Sequence, residues 1–352
     1  MQMAADFLNT FELSLVLAGG NALGAYHQGA CEALLTGGFE PDWCMGTSIG
    51  AVTAAIISGN RPAERLSKLD AFWSQAAQVA PAFASQLPEE WRARHNNDQA
   101  LAALAFGRPG LFHGRFPGIL SVLPWMPPDL AFQDHQPLAD TLERLIDFEF
   151  LHRSPMRLSI LTLDMGTGDE VWFDNRHGEI GPRHLLAATA LTPLFPPVEI
   201  DGRLLCDAGF GNNLPIDRAL RDPRPGGQLC VAIDVYAATH GRPRSLDEAV
   251  ARVQDLAFAL QTRRTVAAVT RERTLIREVD PTSPPAILAH LAYLAPGHQR
   301  TLKPLDFSVT SLRERRDRGR RDAEDLLPRL AAAPRDAALA YIAPEAVRDT
   351  LP

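Results

Sequence analysis

Trp43-Cys44-Met45-Gly46-Thr47-Ser48-Ile49-Gly50-Ala51-Val52-Thr53-Ala54-Ala55-Ile56-Ile57-Ser58 is the stretch whose reading decides the fold. Trp43 to Met45 is short and apolar, suited to a buried strand. Ile49 to Ser58 is small and apolar, a helix able to pack closely on a sheet, and Gly59-Asn60 stops it. Between them stands a G-x-S-x-G, Gly46 to Gly50. In the order strand, tight turn, helix, such a serine sits exposed at the apex of the turn. Glycine two residues to either side relieves crowding where the backbone is strained. The Ser48 hydroxyl then projects from the carboxyl edge of a sheet, where α/β proteins place ligands. The five residues by themselves would also fit a serine-glycine turn without chemistry.

Working towards the N-terminus, Leu13 to Leu17 reads as a buried parallel strand ending in Gly19-Gly20. Ala25 to Leu35 has helical spacing and ends at Gly37-Gly38. The pattern is α/β with a mostly parallel sheet. The loop Gly19 to Gly24 opens a helix after a strand, so its exposed N–H groups could hold an anion. One reading is a dinucleotide cradle, which wants an acid at the end of the next strand, about twenty residues on. Asp42 stands at that distance but precedes its strand. The other reading is an oxyanion hole. It is favoured because neighbouring parallel strands would set this loop beside Ser48.

Towards the C-terminus the rhythm changes. Residues 61–150 alternate helical stretches with Pro, Trp and Phe, as in Arg115 to Met126. They read as a helical insertion or lid, with the aromatics expected in a core rather than on a membrane-facing surface. Strand signals return at Leu158 to Asp164, Val171 to Phe173, Val198 to Ile200, Arg203 to Cys206 and Leu229 to Val235. A helix from Arg183 to Thr189 precedes the proline-rich Thr192 to Pro197. Beyond Thr239 the chain reads as helical: Ser245 to Val279, with Ser245 and Glu248 as a capping box, and the charged Leu312 to Leu330.

Asp207-Ala208-Gly209 follows an apolar strand. A nucleophilic serine needs a base. A free aspartate, with a pKa of about 3.9, is a poor one. Burial could raise its basicity. A turn aspartate satisfying local backbone would look the same in sequence.

The chain of 352 residues is 46% hydrophobic and 22% charged, ordinary for a globular protein. A net charge of −7 gives no basic field for nucleic acid. Cys31, Cys44, Cys206 and Cys230 lack zinc spacing and read as buried free thiols in a reducing compartment. Met1 to Thr10 has no basic region, so it does not read as a signal peptide. No apolar run is long enough to span a bilayer, and no EF-hand-like loop asks for calcium. A cytoplasmic protein without metal or cofactor is the expectation, and peripheral membrane contact is compatible with it.

Three blocks in this order resemble the patatin-like phospholipases. They are A-G-G-N-A-L-G-A over residues 18–25, G-T-S-I-G over 46–50, and D-A-G over 207–209 with Asn213 and Pro215. Gly29, residues 163–168 and residues 188–197 look like the same family. The resemblance covers about residues 13–236. It implies a three-layer α/β/α sandwich with a mostly parallel central sheet, a helical insertion and a helical C-terminal extension. It implies a catalytic unit at 1–238 with 239–352 packed on it. It also implies a Ser48–Asp207 dyad without histidine, and an oxyanion hole at Gly19, Gly20 and Asn21. Gly24, Gly46, Gly50, Ala208 and Gly209 would support the motifs. The implied substrates are phospholipid, lysophospholipid or neutral acyl esters.

Asn21, Leu23 and Ala208 depart from the usual pattern, which leaves loop geometry and rate open. A degenerated binding protein is one alternative. A Ser–His–Asp esterase using His290 or His298 is another, although one strand before Ser48 is too few for that fold. His184 reads as a helix-end or core histidine. The block at 306–323 resembles the tail of a bacterial subgroup and ties the C-terminal helices to the same unit.

Overall fold

The computed structural model describes residues 11–79 and 82–344, so Met1 to Thr10, read above as no signal peptide, lies outside the described residues. The chain begins with strand β1 (Glu12–Leu17), a 3-10 turn at Asn21–Gly24 and helix α1 (Ala25–Thr36). Strand β2 (Trp43–Thr47), α2 (Ile49–Ser58) and α3 (Pro62–Ala76) follow. The insertion holds α4 (Glu89–Phe106), the short strands β3 (His113–Gly114) and β4 (Gln133–Asp134), α5 (Gln136–Leu145) and α6 (Phe148–Arg153). Then come β5 (Arg157–Asp164), β6 (Glu170–Asp174), α7 (Pro182–Thr189), β7 (Val198–Ile200), β8 (Arg203–Asp207), α8 (Ile216–Leu220) and β9 (Gln228–Asp234). The C-terminal part holds α9 (Leu246–Val279), β10 (Ala286–Ala292), α10 (Val309–Ala331) and β11 (Ala340–Ile342).

Nine strands form one sheet in the order β11-β10-β9-β1-β2-β5-β8-β7, with β6 paired to β5. The pairs from β11 to β5 are parallel, and β5–β6, β5–β8 and β7–β8 are antiparallel. β2 and β9 are buried along their whole length, which requires cover on both faces, and helices supply it. The architecture is the expected α/β one with a mostly parallel central sheet.

Register positions the chemistry. β1 and β2 run side by side, with Leu17 opposite Gly46, so the loop after β1 and the turn after β2 emerge together. Thr47 lies opposite Leu161 of β5, and its neighbour Thr162 lies opposite Asp207 of β8. The end of β8 therefore reaches the level of Ser48 from two strands away.

Two readings need correction. The C-terminal region is not helical alone, because β10 and β11 extend the sheet beyond β9. Ala286–Ala292 is a short, buried, Ala- and Leu-rich run, which periodicity cannot tell from a helix segment. The apolar residues of the insertion are also not all core. Phe116 is 78% exposed and Trp125 76%, with Ile119, Leu120, Val122 and Leu130 exposed beside them in sequence. No helix among the described residues is long and apolar enough to cross a membrane.

The C-terminal helix meets the first helix backbone to backbone. A Cβ on Gly29 of α1 would lie 1.8 Å from the Arg316 carbonyl oxygen, and one on Gly319 of α10 would lie 2.1 Å from that of Tyr26. Tyr26 Oη donates to Asp322 at 2.7 Å across the same interface. Asp42, weighed as a ribose acid, accepts the Leu13 N–H at 2.8 Å and so fastens β1. The four cysteines are free, with Cys31, Cys44 and Cys230 buried and Cys206 half-buried.

Candidate active site

Ser48 sits between β2 and α2 with φ 56° and ψ −128°, a left-handed conformation that a non-glycine residue holds only when its surroundings impose it. They do so by leaving no slack. A Cβ on Gly46 would lie 2.4 Å from the Gly50 carbonyl carbon, and one on Gly50 would lie 2.1 Å from the Leu17 oxygen. The turn, the start of α2 and the end of β1 are in backbone contact. The Ser48 carbonyl caps the helix by accepting from Ala51 at 2.9 Å and Val52 at 3.3 Å.

The glycine-rich loop stands against this turn. A Cβ on Gly19 would lie 2.9 Å from the Ser48 Cβ. The Gly19 N–H is already engaged, donating to Asn213 Oδ1 at 3.1 Å, and Asn213 Nδ2 donates back to the Gly19 carbonyl at 3.1 Å. Among the described residues, no acceptor meets the N–H of Gly20 or Asn21. Of the three loop amides singled out in the sequence, two are therefore free and one is occupied. Asn21 has φ 52°, the left-handed region that asparagine tolerates better than most residues. Leu23 is fully buried. Gly24 packs close on Ile49, the first residue of α2.

Asp207 ends β8 and is buried. Its Oδ1 accepts the Gly209 N–H at 2.8 Å, while Oδ2 has no aligned hydrogen-bond partner among the described residues. Burial pushes the carboxyl up to about 6, against the neighbouring Ser48 hydroxyl and the Gly209 amide, which hold it down. The Ser48 hydroxyl thus acts on the carboxylate without a well-aligned bond, a looseness common where no substrate is bound. Ala208 does not need the conformational freedom of glycine, because its φ is not positive. Gly209 stays crowded, since a Cβ there would lie 3.1 Å from Asn213 Oδ1. Both departures at Asn21 and Ala208 are therefore accommodated by the backbone.

Ser48, Asp207, Gly19, Gly20 and Asn21 line one cavity of about 430 Å³. Its remaining walls are mainly apolar and come from the insertion (Phe112, Leu138), the proline-rich loop (Leu194, Phe195), α9 (Phe258) and the segment before α10 (Leu305). Neither His290 nor His298 reaches it. His290 Nδ1 pairs with the Tyr341 hydroxyl at 3.0 Å, and His298 Nε2 with Glu314 at 3.0 Å. His184 accepts the Gly181 N–H at 2.9 Å at the start of α7. His135 does line the cavity, but its Nε2 is held by the Leu186 carbonyl at 3.0 Å and burial lowers its pKa.

Asn213 was marked in sequence as part of the third block, but nothing there showed that it clamps the Gly19 loop. The contribution of residues 301–307 to the cavity was equally invisible there, because it depends on how α10 returns the chain.

Comparison with known proteins identifies a family. A family model described as patatin-like phospholipase matches residues 15–220. No curated protein matches the chain. Two solved structures are similar at low identity. VipD from Legionella pneumophila shares 15% identity at a TM-score of 0.40, over 91% of this chain and 67% of its own. The type III effector protein ExoU shares 14% at a TM-score of 0.37, over 91% of this chain and 53% of its own. The chain spans about half the length of the latter.

Proposed function

The chain belongs to the patatin-like phospholipase family, and on that premise we propose that it cleaves fatty-acyl esters of lipids through a Ser48–Asp207 dyad. The observation that carries this reading is the sharing of one apolar cavity by a strained serine, a buried carboxyl raised to about 6 and two free loop amides.

Ser48 Oγ attacks the ester carbonyl carbon, and its proton passes to Asp207 Oδ2, the carboxylate oxygen left without a partner. The carbonyl oxygen becomes an oxyanion and accepts from the Gly20 and Asn21 N–H groups, with the positive end of α2 beside it. Gly19 holds the loop through Asn213 and does not donate to the substrate. The intermediate collapses, the C–O bond to the alcohol breaks, and the departing oxygen takes the proton from Asp207. Water then attacks the acyl-Ser48 ester and loses its proton to Asp207. Collapse frees the fatty acid and returns the proton to Ser48. A carboxyl near 6 is matched to this shuttle at neutral pH far better than an ordinary aspartate.

The apolar walls suit an acyl chain, and the exposed cluster from Phe116 to Leu130 suits contact with a lipid surface. Phe132 and Gln133, just after that cluster, donate to the carbonyls of Pro193 and Leu194 at 2.9 Å, so it adjoins a cavity wall.

The test is a panel of p-nitrophenyl esters and phospholipids on wild type, Ser48→Ala, Asp207→Asn and His298→Ala, together with fluorophosphonate labelling. Hydrolysis and labelling are expected to vanish in Ser48→Ala, and hydrolysis to collapse in Asp207→Asn but not in His298→Ala. Folded wild type that neither labels nor hydrolyses any ester would sink the proposal.

A further inference from the structure

We propose that Arg315 of α10 is a positioning residue for the oxyanion loop, setting both the aim and the positive potential of the Gly20 and Asn21 amides. The inference rests on the Ser48 reading above. The loop from Ala18 to Ala25 carries no charged side chain of its own. The Arg315 side chain is fully buried beneath it. Its Nη1 donates to the Ala22 carbonyl at 3.1 Å and to the Asp306 carbonyl at 2.9 Å. Its Nη2 donates to the Lys303 carbonyl at 3.0 Å and its Nε to Gln299 Oε1 at 3.1 Å.

One buried carboxylate offsets part of the charge, through an ion pair without a hydrogen bond. Asp306 Oδ2 lies 3.8 Å from Nη2, outside hydrogen-bond range, and has no hydrogen-bond partner among the described residues. Neutral oxygens accept all of these hydrogen bonds, and the part of the field that Asp306 leaves uncancelled is poorly screened in the interior. Three of those oxygens belong to residues 299–306. The fourth, on Ala22, belongs to the 3-10 turn at Asn21–Gly24.

In such a turn the N–H groups and carbonyls point in opposite directions along the axis. Holding the Ala22 carbonyl from below fixes the preceding peptide planes, and so aims the free amides at the far end. A cation at the carbonyl end also reinforces the dipole whose positive end faces the substrate oxygen. Anion stabilisation at Ser48 thereby depends on a residue 267 positions away, in the C-terminal helix.

A purely structural arginine would behave differently, and the molecule supplies the comparison. Arg273 of α9 is almost fully buried and likewise donates to neutral oxygens, Gln228 Oε1 at 2.9 Å and the Pro284 carbonyl at 2.8 Å. Its hydrogen bonds go to Gln228, Pro284 and Ala338, and none reaches the oxyanion loop.

The experiment uses the full chain and two ligands of equal chain length. A dodecyl trifluoromethyl ketone adds to serine as a tetrahedral oxyanion, whereas the dodecyl methyl ketone reports ground-state binding. Arg315→Lys is expected to weaken the fluorinated ketone about tenfold and to lower kcat in step. The methyl ketone affinity and KM should change by less than about twofold, because these interactions act on the charge that develops. Arg273→Lys should lower Tm and change neither ligand. Asp306→Asn removes the nearest negative charge and should tighten the fluorinated ketone a few-fold. It decides the matter if Arg315→Lys does not fold.

The proposal is overturned if Arg315→Lys behaves like Arg273→Lys, or if Asp306→Asn leaves the fluorinated ketone unchanged. If Ser48→Ala binds that ketone as tightly as wild type, the serine reading fails and this inference fails with it. Normal dependence on Ser48 without an effect at residue 315 or 306 overturns this inference alone.

Discussion

Gly19 and Asn213, 194 positions apart, are joined by a reciprocal pair of 3.1 Å hydrogen bonds. The pair fastens the glycine-rich loop after β1 to the turn after β8. Its partners are buried, so an unpaired loop N–H would be costly to leave there. Asn213 is held in turn by Gln261 of α9, whose Oε1 accepts the Asn213 N–H at 3.1 Å.

Replacing Asn213 with leucine removes both side-chain bonds and orphans the Gly19 carbonyl, while the Gly19 N–H keeps only its 3.3 Å bond to the main-chain carbonyl of residue 213. Stability should fall by about 1–3 kcal/mol, the usual cost of one buried polar group left unsatisfied. Activity should fall further than stability explains, by roughly 10²-fold, because the loop amides lose their aim. Urea unfolding and ester kinetics on the same preparation measure the two effects. Normal kcat in a destabilised variant would separate the clamp from the chemistry.

Asp207 makes a linked prediction about pH. The folded protein holds a proton on this carboxyl up to about 6, whereas the unfolded chain releases it near the ordinary value of 3.8. Between those limits the native state binds more protons, so stability falls as pH rises through the window. Above it the burial penalty is fully present, at roughly 2–3 kcal/mol for a shift of this size. Asp207→Asn should therefore be the more stable protein at pH 8, with an advantage that shrinks towards pH 4. Activity runs the opposite way, since the base must be ionised, and kcat/KM should rise with pH through about 6. A flat acidic limb would argue against Asp207 as the proton acceptor.

The glycine crossing between α1 and α10 should not tolerate a methyl group. In Gly319→Ala the new Cβ meets the Tyr26 carbonyl at 2.1 Å, a backbone atom that cannot swing aside. A loss of about 3 kcal/mol or more is expected, at the upper end of overpacking costs. Gly181→Ala has open space around its Cβ and an extended φ of −129°, and should stay within about 0.5 kcal/mol of wild type. Thermal unfolding of the two variants side by side checks the contrast.

The exposed apolar cluster of the insertion predicts a split between soluble and interfacial substrates. Burying one large apolar side chain in lipid contributes about 1.5–3 kcal/mol. Phe116→Ser combined with Trp125→Ser should therefore weaken binding to phospholipid vesicles by roughly 10²-fold or more on that scale. Hydrolysis of a short, soluble p-nitrophenyl ester should be unaffected. Equal losses on both substrates would mean that the cluster shapes the cavity instead.

Much of the fold was legible because its central strands are short apolar runs bounded by glycine or proline. Leu13 to Leu17, Leu158 to Asp164 and Leu229 to Val235 all appear in the sheet nearly as read. The long helix read from Ser245 begins there, with the Ser245 hydroxyl accepting from Glu248. Ala286–Ala292 was not legible, because seven Ala-, Leu- and Ile-rich residues have no period of their own until β9 stands beside them. The exposure of Phe116 and Trp125 was not legible either, since composition reports that a residue is apolar and not what covers it. In the candidate site, Ser48 and Asp207 were marked by local motifs. Asn213 and Arg315 also fell inside blocks that resemble the family, but their roles were not legible, because each acts on the loop through interactions made only when distant segments meet.

The close approach of Gly29 and Gly319 gives the C-terminal helix mechanical access to the loop. Two helices separated by side chains can slide while the side chains change rotamer. Two helices whose backbones touch have nothing to rearrange, so a displacement of one is carried to the other with little play. α1 leads directly from the 3-10 turn of Asn21–Gly24, and α10 bears the guanidinium that grips that turn. A pull on α10 would therefore arrive at the Gly20 and Asn21 amides as a change of angle. The geometry makes this helix a handle on the reaction as well as a support for the fold.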